Sequence, residues 1–270
     1  DEGGELALLR TTEPRFFARR GWFVCGRHCW STATTRDVLA RLADVPPVET
    51  SPLAKARPRP TVRLWRQVEQ DSIARLHQSN ARGSRGALER NHEYWRWLVS
   101  RRGFERFYVA VEEAEPTSQT PGEARIVGYA AVNGARVLEL ETDAESPTAA
   151  EQLLARACSD AIERGEGTLR FDAPADHPLH QLMQQAGGRF VQSESEAGEV
   201  LMGKLFDPWG LLEQLRGDLF ARAKAAGFDL PTELGLSVEG EKRLLTFTRR
   251  SAKLVPGKTG RSYLTCNRTN

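Results

Sequence analysis

Apolar and polar residues follow two different periods along this chain, and each period predicts a different element. Alternation over about four to eight positions predicts β-strands, whereas apolar residues three and four apart predict helices with one buried face. The strands are predicted at residues 61–65, 106–112, 126–133, 136–142, 168–173, 189–195 and 199–206. The helices are predicted in VEQDSIARLHQSN, LERNHEYWRWLVSR, PTAAEQLLARACSDAIER and HPLHQLMQQAGG.

Turn and capping residues between these stretches strengthen the assignment. The dipeptide Asn133-Gly134 favours a tight hairpin between two predicted strands. The helix that follows is predicted to start at Pro147, which suits a first turn, with Ser146 as its cap. Gly165 is predicted to end this helix near Arg164, because glycine is the usual residue just after a helix terminus.

Composition divides the chain into four predicted parts. Residues 46–60, PPVETSPLAKARPRP, are rich in proline, which predicts an extended linker. Residues 61–206 are predicted to form one mixed α/β (α+β) domain, with helices flanking a twisted, mostly antiparallel sheet. Residues 207–270 hold an amphipathic stretch and then paired alternating stretches, which predicts the start of a third domain. Residues 1–45 are predicted to be the last part of a first domain.

Two segments of the chain share one order of elements. The segment LALLRTTEPRFFARRGWFVCGRHCWST and the segment LRFDAPADHPLHQLMQQAGGRFVQSES each contain a short strand, a break with proline, a short helix, a glycine–aromatic step and an alternating strand. This order predicts an internal duplication. Residues 1–32 are expected to superpose on residues 166–195. Because the first copy contains only its last elements and the chain begins with Asp1, the sequence is predicted to be a fragment truncated at both ends.

Composition excludes several classes of protein. The net charge of +2 gives no field that would favour nucleic acid or membrane surfaces, and no apolar stretch reaches the ~18 residues that span a bilayer. The 4 cysteines make no disulfide framework in 270 residues, so reduced thiols and a cytoplasmic location are expected. Cys25 and Cys29 are predicted to lie about 13 Å apart on one strand, too far for one metal ion, and no metal site is predicted.

The element order and the duplication resemble the GNAT superfamily of N-acetyltransferases. RFFARRGW is similar to the family stretch F-Y-x-R-x-G-[FW], which lies on the last helix beside the acyl-CoA thioester. Two tandem copies followed by a third domain resemble the enhanced intracellular survival group, whose third domain is like a sterol carrier protein. The resemblance implies an acyl-CoA-dependent N-acetyltransferase that uses acetyl-CoA as co-substrate and a small-molecule or peptide amine as acceptor. Whether the protein forms a homo-oligomer stays open.

The resemblance also implies where coenzyme A would bind. In the family, a glycine-containing loop, [RQ]-x-x-G-x-[GA], follows the fourth strand, and its backbone N–H groups hold the diphosphate at a helix N-terminus. The second copy has DAESPTAAEQLL at this place, with Asp143 and Glu145 where anions would bind and Pro147 lacking a donor. The second copy is therefore predicted not to bind coenzyme A, and the active site is expected in the first copy.

Phe17 and Arg19 are the positions that the resemblance assigns to the coenzyme site. The family's frequent tyrosine, which can serve as the general acid, falls at Phe17, and a phenyl ring has no proton to give. Three interpretations stay open: another group or water acts as the acid, this copy is inactive, or Phe16, Phe17 and Trp22 are core aromatics. The catalytic residues are not predicted.

Two further stretches contain residue types that could carry chemistry. Asp176, His177 and His180 have the spacing of a metal pair, but a helix that starts with Asp176 as its cap explains them without metal. The cluster YWRW, residues 94–97, is predicted to pack on the sheet or to line an apolar pocket for an amine.

Two functions stay open at this point. The first is an N-acetyltransferase whose catalytic half is mostly outside this fragment, which would itself be inactive. The alternative is a non-catalytic, degenerate acetyltransferase-fold module used for binding or regulation.

Overall fold

The described part of the chain contains fifteen strands and seven α-helices. The computed structural model describes residues 4–44, 59–83, 88–101, 103–113, 124–146, 148–259 and 262–266. The strands are β1 (Leu6–Thr11), β2 (Phe23–Val24), β3 (His28–Thr34), β4 (Thr61–Leu64), β5 (Arg106–Glu113), β6 (Ala124–Asn133), β7 (Arg136–Thr142), β8 (Thr168–Asp172), β9 (Arg189–Ser193), β10 (Ser195–Glu196), β11 (Glu199–Leu205), β12 (Thr232–Val238), β13 (Glu241–Phe247), β14 (Ala252–Pro256) and β15 (Leu264–Cys266). The helices are α1 (Pro14–Ala18), α2 (Thr35–Asp44), α3 (Gln70–Gly83), α4 (His92–Ser100), α5 (Ala149–Glu163), α6 (Pro178–Gln185) and α7 (Pro208–Ala225).

The chain forms two compact units, and it passes between them twice. The first unit contains the described residues up to Arg27 and those from Ser193 onward, and the second unit contains those from His28 to Gln192. The second unit therefore includes β3 and α2, which precede the predicted linker. That linker, residues 46–60, lies almost entirely outside the described residues.

The second unit is a seven-stranded sheet covered by helices on both faces. The strand order is β4-β5-β6-β7-β8-β3-β9. The pairs β4–β5, β5–β6, β6–β7 and β3–β8 are antiparallel, and β7 and β8 are parallel. Along β5, Tyr108 and Ala110 point into a core formed with α2, α5 and α6. Phe107 and Val109 point into a second core formed with α3 and α4. The strict alternation of the sequence thus buries both faces of one strand.

The first unit contains two smaller sheets. In one, β11 lies between β1 and the short strands β10 and β2, all antiparallel. In the other, the order is β14-β13-β12-β15, and α7 contacts β14. Ala223 of α7 packs there with Leu245, Phe247 and Ala252. The helix and paired strands predicted after residue 206 are therefore present. The predicted amphipathic character of the helix is wrong, because α7 does not gather its apolar residues on one face. The likeness of this region to a sterol carrier protein stays a prediction.

The final strand of each predicted copy pairs with the other copy's strands. β3, the last strand of the first copy, lies between β8 and β9. β11, the last strand of the second copy, pairs with β1 and β2. The exchange is reciprocal, which supports the predicted duplication, although the superposition of residues 1–32 on 166–195 stays a prediction.

The fold class predicted from the sequence, mixed α+β with mostly antiparallel sheets, is confirmed. The seven strands predicted between residues 61 and 206 are all present within about two residues of their predicted ends, and the long helix begins two residues later than predicted, at Ala149. One placement is wrong: β11 does not belong to the sheet of the second unit but to that of the first. Among the described residues, no helix is both long and apolar enough to cross a membrane.

Candidate functional site

The loop after β7 holds its own backbone groups. Asp143 donates its N–H to the carbonyl of Val127 over 2.8 Å, and its carboxylate accepts the N–H of Glu145 over 3.0 Å. Ser146 donates its N–H to the carbonyl of Asp143, and Ala149 donates its N–H to the carbonyl of Ser146. Four donors in the region where a diphosphate would bind therefore already have acceptors. Pro147, which was predicted to remove a further donor, lies outside the described residues.

Two contacts explain why this loop closes as it does. Arg125 donates to the Asp143 carboxylate over 3.0 Å and so fixes its position. Ser146 donates its hydroxyl to the Glu112 carboxylate, and Thr148 takes the cap position of α5 without a side-chain hydrogen bond. The prediction that Ser146 caps the helix is therefore wrong, because its hydroxyl has a stronger, charged acceptor.

A β-bulge positions two glutamates that the sequence analysis did not single out. The pairing of β6 with β7 shifts between Ala131 and Val132, which leaves Leu138 as the extra residue. Beyond the bulge, Glu139 pairs with Ala131 and Glu141 pairs with Tyr129, both on β6. Both carboxylates consequently lie on the sheet face that α3 and α4 cover.

On that face, a histidine and a carboxylate both lie within hydrogen-bond distance of one tyrosine hydroxyl. The hydroxyl of Tyr129 contacts Glu139 Oε1 and also lies 3.3 Å from His77 Nδ1. His77 Nε2 lies 3.1 Å from the carbonyl of Leu88, and because a carbonyl oxygen only accepts, Nε2 carries a proton. A hydroxyl has one hydrogen, and Tyr129 can donate it to Glu139 or to His77 but not to both.

Cationic and amide groups hold the two glutamates. Arg90 donates two parallel hydrogen bonds to Glu139, each 2.8 Å long, and this pair neutralises the charge of Glu139. Asn80 donates to Glu141 over 2.6 Å. Burial raises the pKa of Glu141, and burial together with the neighbouring Glu139 raises the pKa of Tyr129, so the tyrosine stays a hydrogen-bond donor.

The ligand atoms of His77, Glu139 and Glu141 lie within 4.8 Å of one another, a spacing that could hold a metal ion. However, Arg90 already binds both oxygens of Glu139, and its positive charge repels a metal cation at the same carboxylate. The cluster is therefore built around the Arg90–Glu139 ion pair, with the hydroxyl of Tyr129 and the ring of His77 beside it. One sequence signal could have indicated this cluster: Glu139 and Glu141 are two residues apart on a strand, so their side chains share a face.

A cavity of about 140 Å³ lies next to this cluster. Its wall is mostly aromatic and aliphatic. Gln70 contributes an amide group to it, and Arg90 and Glu139 contribute charged groups. The residues that line it are Trp65, Gln70, Ile73, Arg90, Trp95, Leu98, Val99, Gly103, Phe104, Phe107, Tyr129, Ala131, Leu138 and Glu139. Of the YWRW stretch, Trp95 is buried and also lines this cavity, so it packs and lines a pocket at once, and an amine as the occupant of that pocket stays a prediction.

The predicted coenzyme residues Phe17 and Arg19 lie in the first unit, at the end of α1. None of the five residues of α1 is buried. The ring of Phe17 lies edge-on to Phe16 and Trp22, with centroids 5.1 and 5.9 Å away, and Arg19 is exposed. Phe16 remains 52% exposed, so these aromatics form a cluster on the helix rather than a buried core in this chain.

The other candidate stretches have structural roles. His177, not Asp176, is the cap of α6, and its Nδ1 accepts the N–H of Leu179 over 3.2 Å. His180 is buried against Ser31, whose hydroxyl lies 2.8 Å from its Nδ1. The single strand predicted through Cys25 and Cys29 is interrupted, because Cys25 follows β2 in the first unit and Cys29 lies on β3 in the second.

Several solved structures share this fold. A conserved protein of unknown function from Enterococcus faecalis, described as a probable N-acyltransferase, is 14% identical with a TM-score of 0.64; the match covers 98% of this chain and 60% of that one. A GCN5-related N-acetyltransferase from Kribbella flavida is 14% identical with a TM-score of 0.63 and coverage of 99% and 59%. Eis1 from Mycobacterium abscessus is 13% identical with a TM-score of 0.51 and coverage of 99% and 61%.

These similarities establish the fold. The chain has the fold of the GNAT acetyltransferases, and it spans about 60% of the length of the three similar structures. Comparisons with models of known protein families and with curated protein sequences gave no match.

Proposed function

We propose that the protein is an acyl-CoA-dependent N-acetyltransferase, which transfers the acetyl group of acetyl-CoA to a small-molecule or peptide amine. We further propose that the copy containing residues 1–45, and not the copy from 61 to 206, forms the coenzyme site. The first part of the proposal rests on the fold shared with N-acetyltransferases. The second part rests on the loop after β7.

That loop is the single observation that carries the assignment. A coenzyme diphosphate needs free backbone N–H groups at a helix N-terminus. Here the N–H groups of Asp143, Glu145 and Ser146 have acceptors, and one acceptor is itself the Asp143 carboxylate. An incoming phosphate would have to displace a carboxylate that Arg125 holds in place, and it would meet like charge.

The chemistry of acetyl transfer then falls to the first copy. The amine nitrogen attacks the thioester carbonyl, a donor stabilises the oxyanion, and the C–S bond breaks as the amine loses its proton. Phe17 would form an apolar wall beside the thioester, because its ring has no proton for the leaving thiolate. Arg19, exposed beside it, would face the coenzyme's anionic groups.

Calorimetric titration with acetyl-CoA tests this assignment on the 270-residue chain and on the full-length protein. The chain alone should give no binding in the micromolar range, whereas the full-length protein should bind and acetylate an amine. In the full-length protein, Phe17→Glu should weaken acetyl-CoA binding by at least about tenfold, because it places a charge against an apolar group. The matched variant in the second copy, Asp143→Asn, should leave the affinity unchanged.

Micromolar binding by the 270-residue chain would place the site in the second copy and contradict the proposal. Binding by neither protein would favour the alternative, a non-catalytic module with an acetyltransferase fold. The self-contained loop after β7 is the observation that keeps this alternative open, because a domain without a coenzyme site would be expected to close that loop on itself.

A further inference from the structure

The cavity beside α3 and α4 in the second unit has an aromatic wall on the side of the sheet. The ring of Phe107 lies between three others, 5.4 Å from Trp65, 5.1 Å from Phe104 and 5.2 Å from Tyr129, measured between centroids. Phe107 and Tyr129 are stacked, with 14° between their planes. Such a wall suits the face or edge of a flat, apolar group.

Three side chains that line this cavity each have a nitrogen without an acceptor. Gln70 Nε2, Arg90 Nε and Trp95 Nε1 are buried, and no hydrogen-bond acceptor reaches them in the described part of the chain. Trp95 is only 4% exposed. Buried donors nearly always have partners in folded proteins, so three exceptions around one cavity call for an explanation.

The charge around the cavity selects against ionic ligands. Arg90 and Glu139 form two parallel bonds of 2.8 Å, so the pair presents no net charge to the cavity. An ammonium group would have to compete with Arg90 for Glu139. A carboxylate would have to compete with Glu139 for Arg90. Either ion would otherwise be buried without a partner, which is strongly unfavourable.

We propose that this cavity binds a small, uncharged molecule with a flat apolar body and a carbonyl-type oxygen, which accepts hydrogen bonds from two of these donors, Trp95 Nε1 and that of either Gln70 or Arg90. A carbonyl oxygen has two lone pairs and can satisfy two donors at once. A cavity of about 150 Å³ accommodates benzene, so the volume of about 140 Å³ fits one six-membered ring. This site is separate from the proposed coenzyme site, and its occupation does not depend on acetyl transfer.

A series of four probes with one ring tests the proposal on the 270-residue protein. Benzamide carries the neutral carbonyl, benzoate the anion, benzylamine the cation, and toluene no polar group. Benzamide should bind about twofold to tenfold more tightly than each of the others, since one additional hydrogen bond changes an affinity by about that factor. Preferential binding of benzylamine or benzoate would overturn the proposal. The proposal would also be overturned if benzamide did not bind at 10 mM, a concentration of about the order used for fragments.

Two tryptophans of α4 provide a matched pair of variants. Trp95→Phe removes the indole N–H and keeps an aromatic ring, so benzamide should bind about threefold to tenfold more weakly while toluene binds no more weakly. Trp97→Phe should change neither affinity, because Trp97 is 45% exposed and does not line the cavity. A loss of benzamide and toluene binding by the same factor in Trp95→Phe would contradict a hydrogen bond.

A measurement on the unmodified protein avoids dependence on the folding of a variant. The 6 tryptophans give separate indole N–H signals in a nitrogen–proton NMR spectrum. On titration with benzamide, the indole proton signal of Trp95 should move downfield, as expected for a new hydrogen bond, and that of Trp97 should stay in place. Movement of other signals while that of Trp95 stays unchanged would show that the ligand binds elsewhere.

Discussion

Helices α1 and α6 occupy the same place in the two predicted copies, but they differ in what they bury. Each begins with a proline and ends at a glycine with φ of +77°, Gly21 after α1 and Gly187 after α6. None of the residues of α1 is buried, whereas α6 buries Leu179, His180 and Met183. The two helices thus share the residue types at their ends, whereas the residues that they bury differ.

What the two segments share is therefore the backbone conformation at the ends of the helices rather than a common core. After each helix, the glycine donates its N–H three residues back and the next residue donates five residues back, a Schellman motif. The same motif also ends α5, so by itself it does not define the repeat. The distinguishing feature is the final strand: β3 lies between β8 and β9, and β11 pairs with β1 and β2.

The largest expected effect comes from the strands that precede the two helices. Phe171 on β8 is fully buried and contacts the rings of His177 and His180 at 5.0 and 5.2 Å, whereas Leu8 on β1 is 59% exposed. Phe171→Ala should lower the free energy of unfolding of the second unit by about 3–5 kcal/mol. Leu8→Ala should change the stability by less than about 0.5 kcal/mol.

Urea denaturation followed by circular dichroism measures both changes. A similar loss in the two variants would mean that β1 is packed as tightly as β8. The comparison between the copies would then fail.

The elements of each copy could be predicted from the sequence, but the strand exchange could not. Alternation in a strand determines which residues share a face, and this was sufficient to predict β7 at its observed bounds. The alternation does not indicate which other strand of the sheet a given strand pairs with. For that reason β11 was assigned to the nearest sheet in sequence, although it pairs with β1, nearly two hundred residues away.

The polar cluster was missed for a related reason. His77 lies on α3, Tyr129 on β6 and Glu139 on β7, and only the packing of the helix on the sheet brings them together. The bulge at Leu138 also changes which residues pair beyond it. Local rules failed on a smaller scale at α6, where His177 rather than Asp176 caps the helix.

A smaller effect is expected at the turns that follow the two helices. A Cβ on Gly188 would lie 2.6 Å from the carbonyl oxygens of both Met183 and Thr32, which are backbone atoms that cannot move aside. Gly188→Ala should therefore destabilise the second unit by roughly 1–3 kcal/mol. Gly21→Ala has only Lys204 Cε nearby, at 4.0 Å, so its cost is the left-handed backbone, about 1 kcal/mol.

Thermal unfolding monitored by circular dichroism compares these two variants. If Gly21→Ala were the more damaging change, the turn after α1 would be the more closely packed one. That outcome would reverse the contrast drawn from the two helices.

The smallest expected effect is a pH dependence that only the second unit should show. All 5 histidines of the chain lie between residues 28 and 192. Burial lowers the pKa of His177 from 6.5 to about 4, with a smaller contribution from the neighbouring His180. Between these values the unfolded chain binds a proton that the folded unit does not. The contribution of the uncharged His177 ring to the free energy of unfolding is therefore fully present above pH 6.5, and it is lost as the pH falls toward 4.

The loss attributable to His177 should be roughly 0.5–1.5 kcal/mol between pH 7 and pH 5, because the ring is only half-buried and solvent reduces the full effect. In His177→Gln, this part of the pH dependence should disappear from urea denaturation curves at the two pH values. The control is His92→Gln, since the side chain of His92 is 64% exposed, and this variant should keep the dependence of the unmodified protein. An equal loss of stability on acidification in His177→Gln and in the unmodified protein would assign the dependence to other groups. The N-cap of α1, Glu13, makes no side-chain capping hydrogen bond, whereas His177 caps α6 through its ring. An equal loss would therefore also remove the expected difference in pH dependence between the caps of α6 and α1.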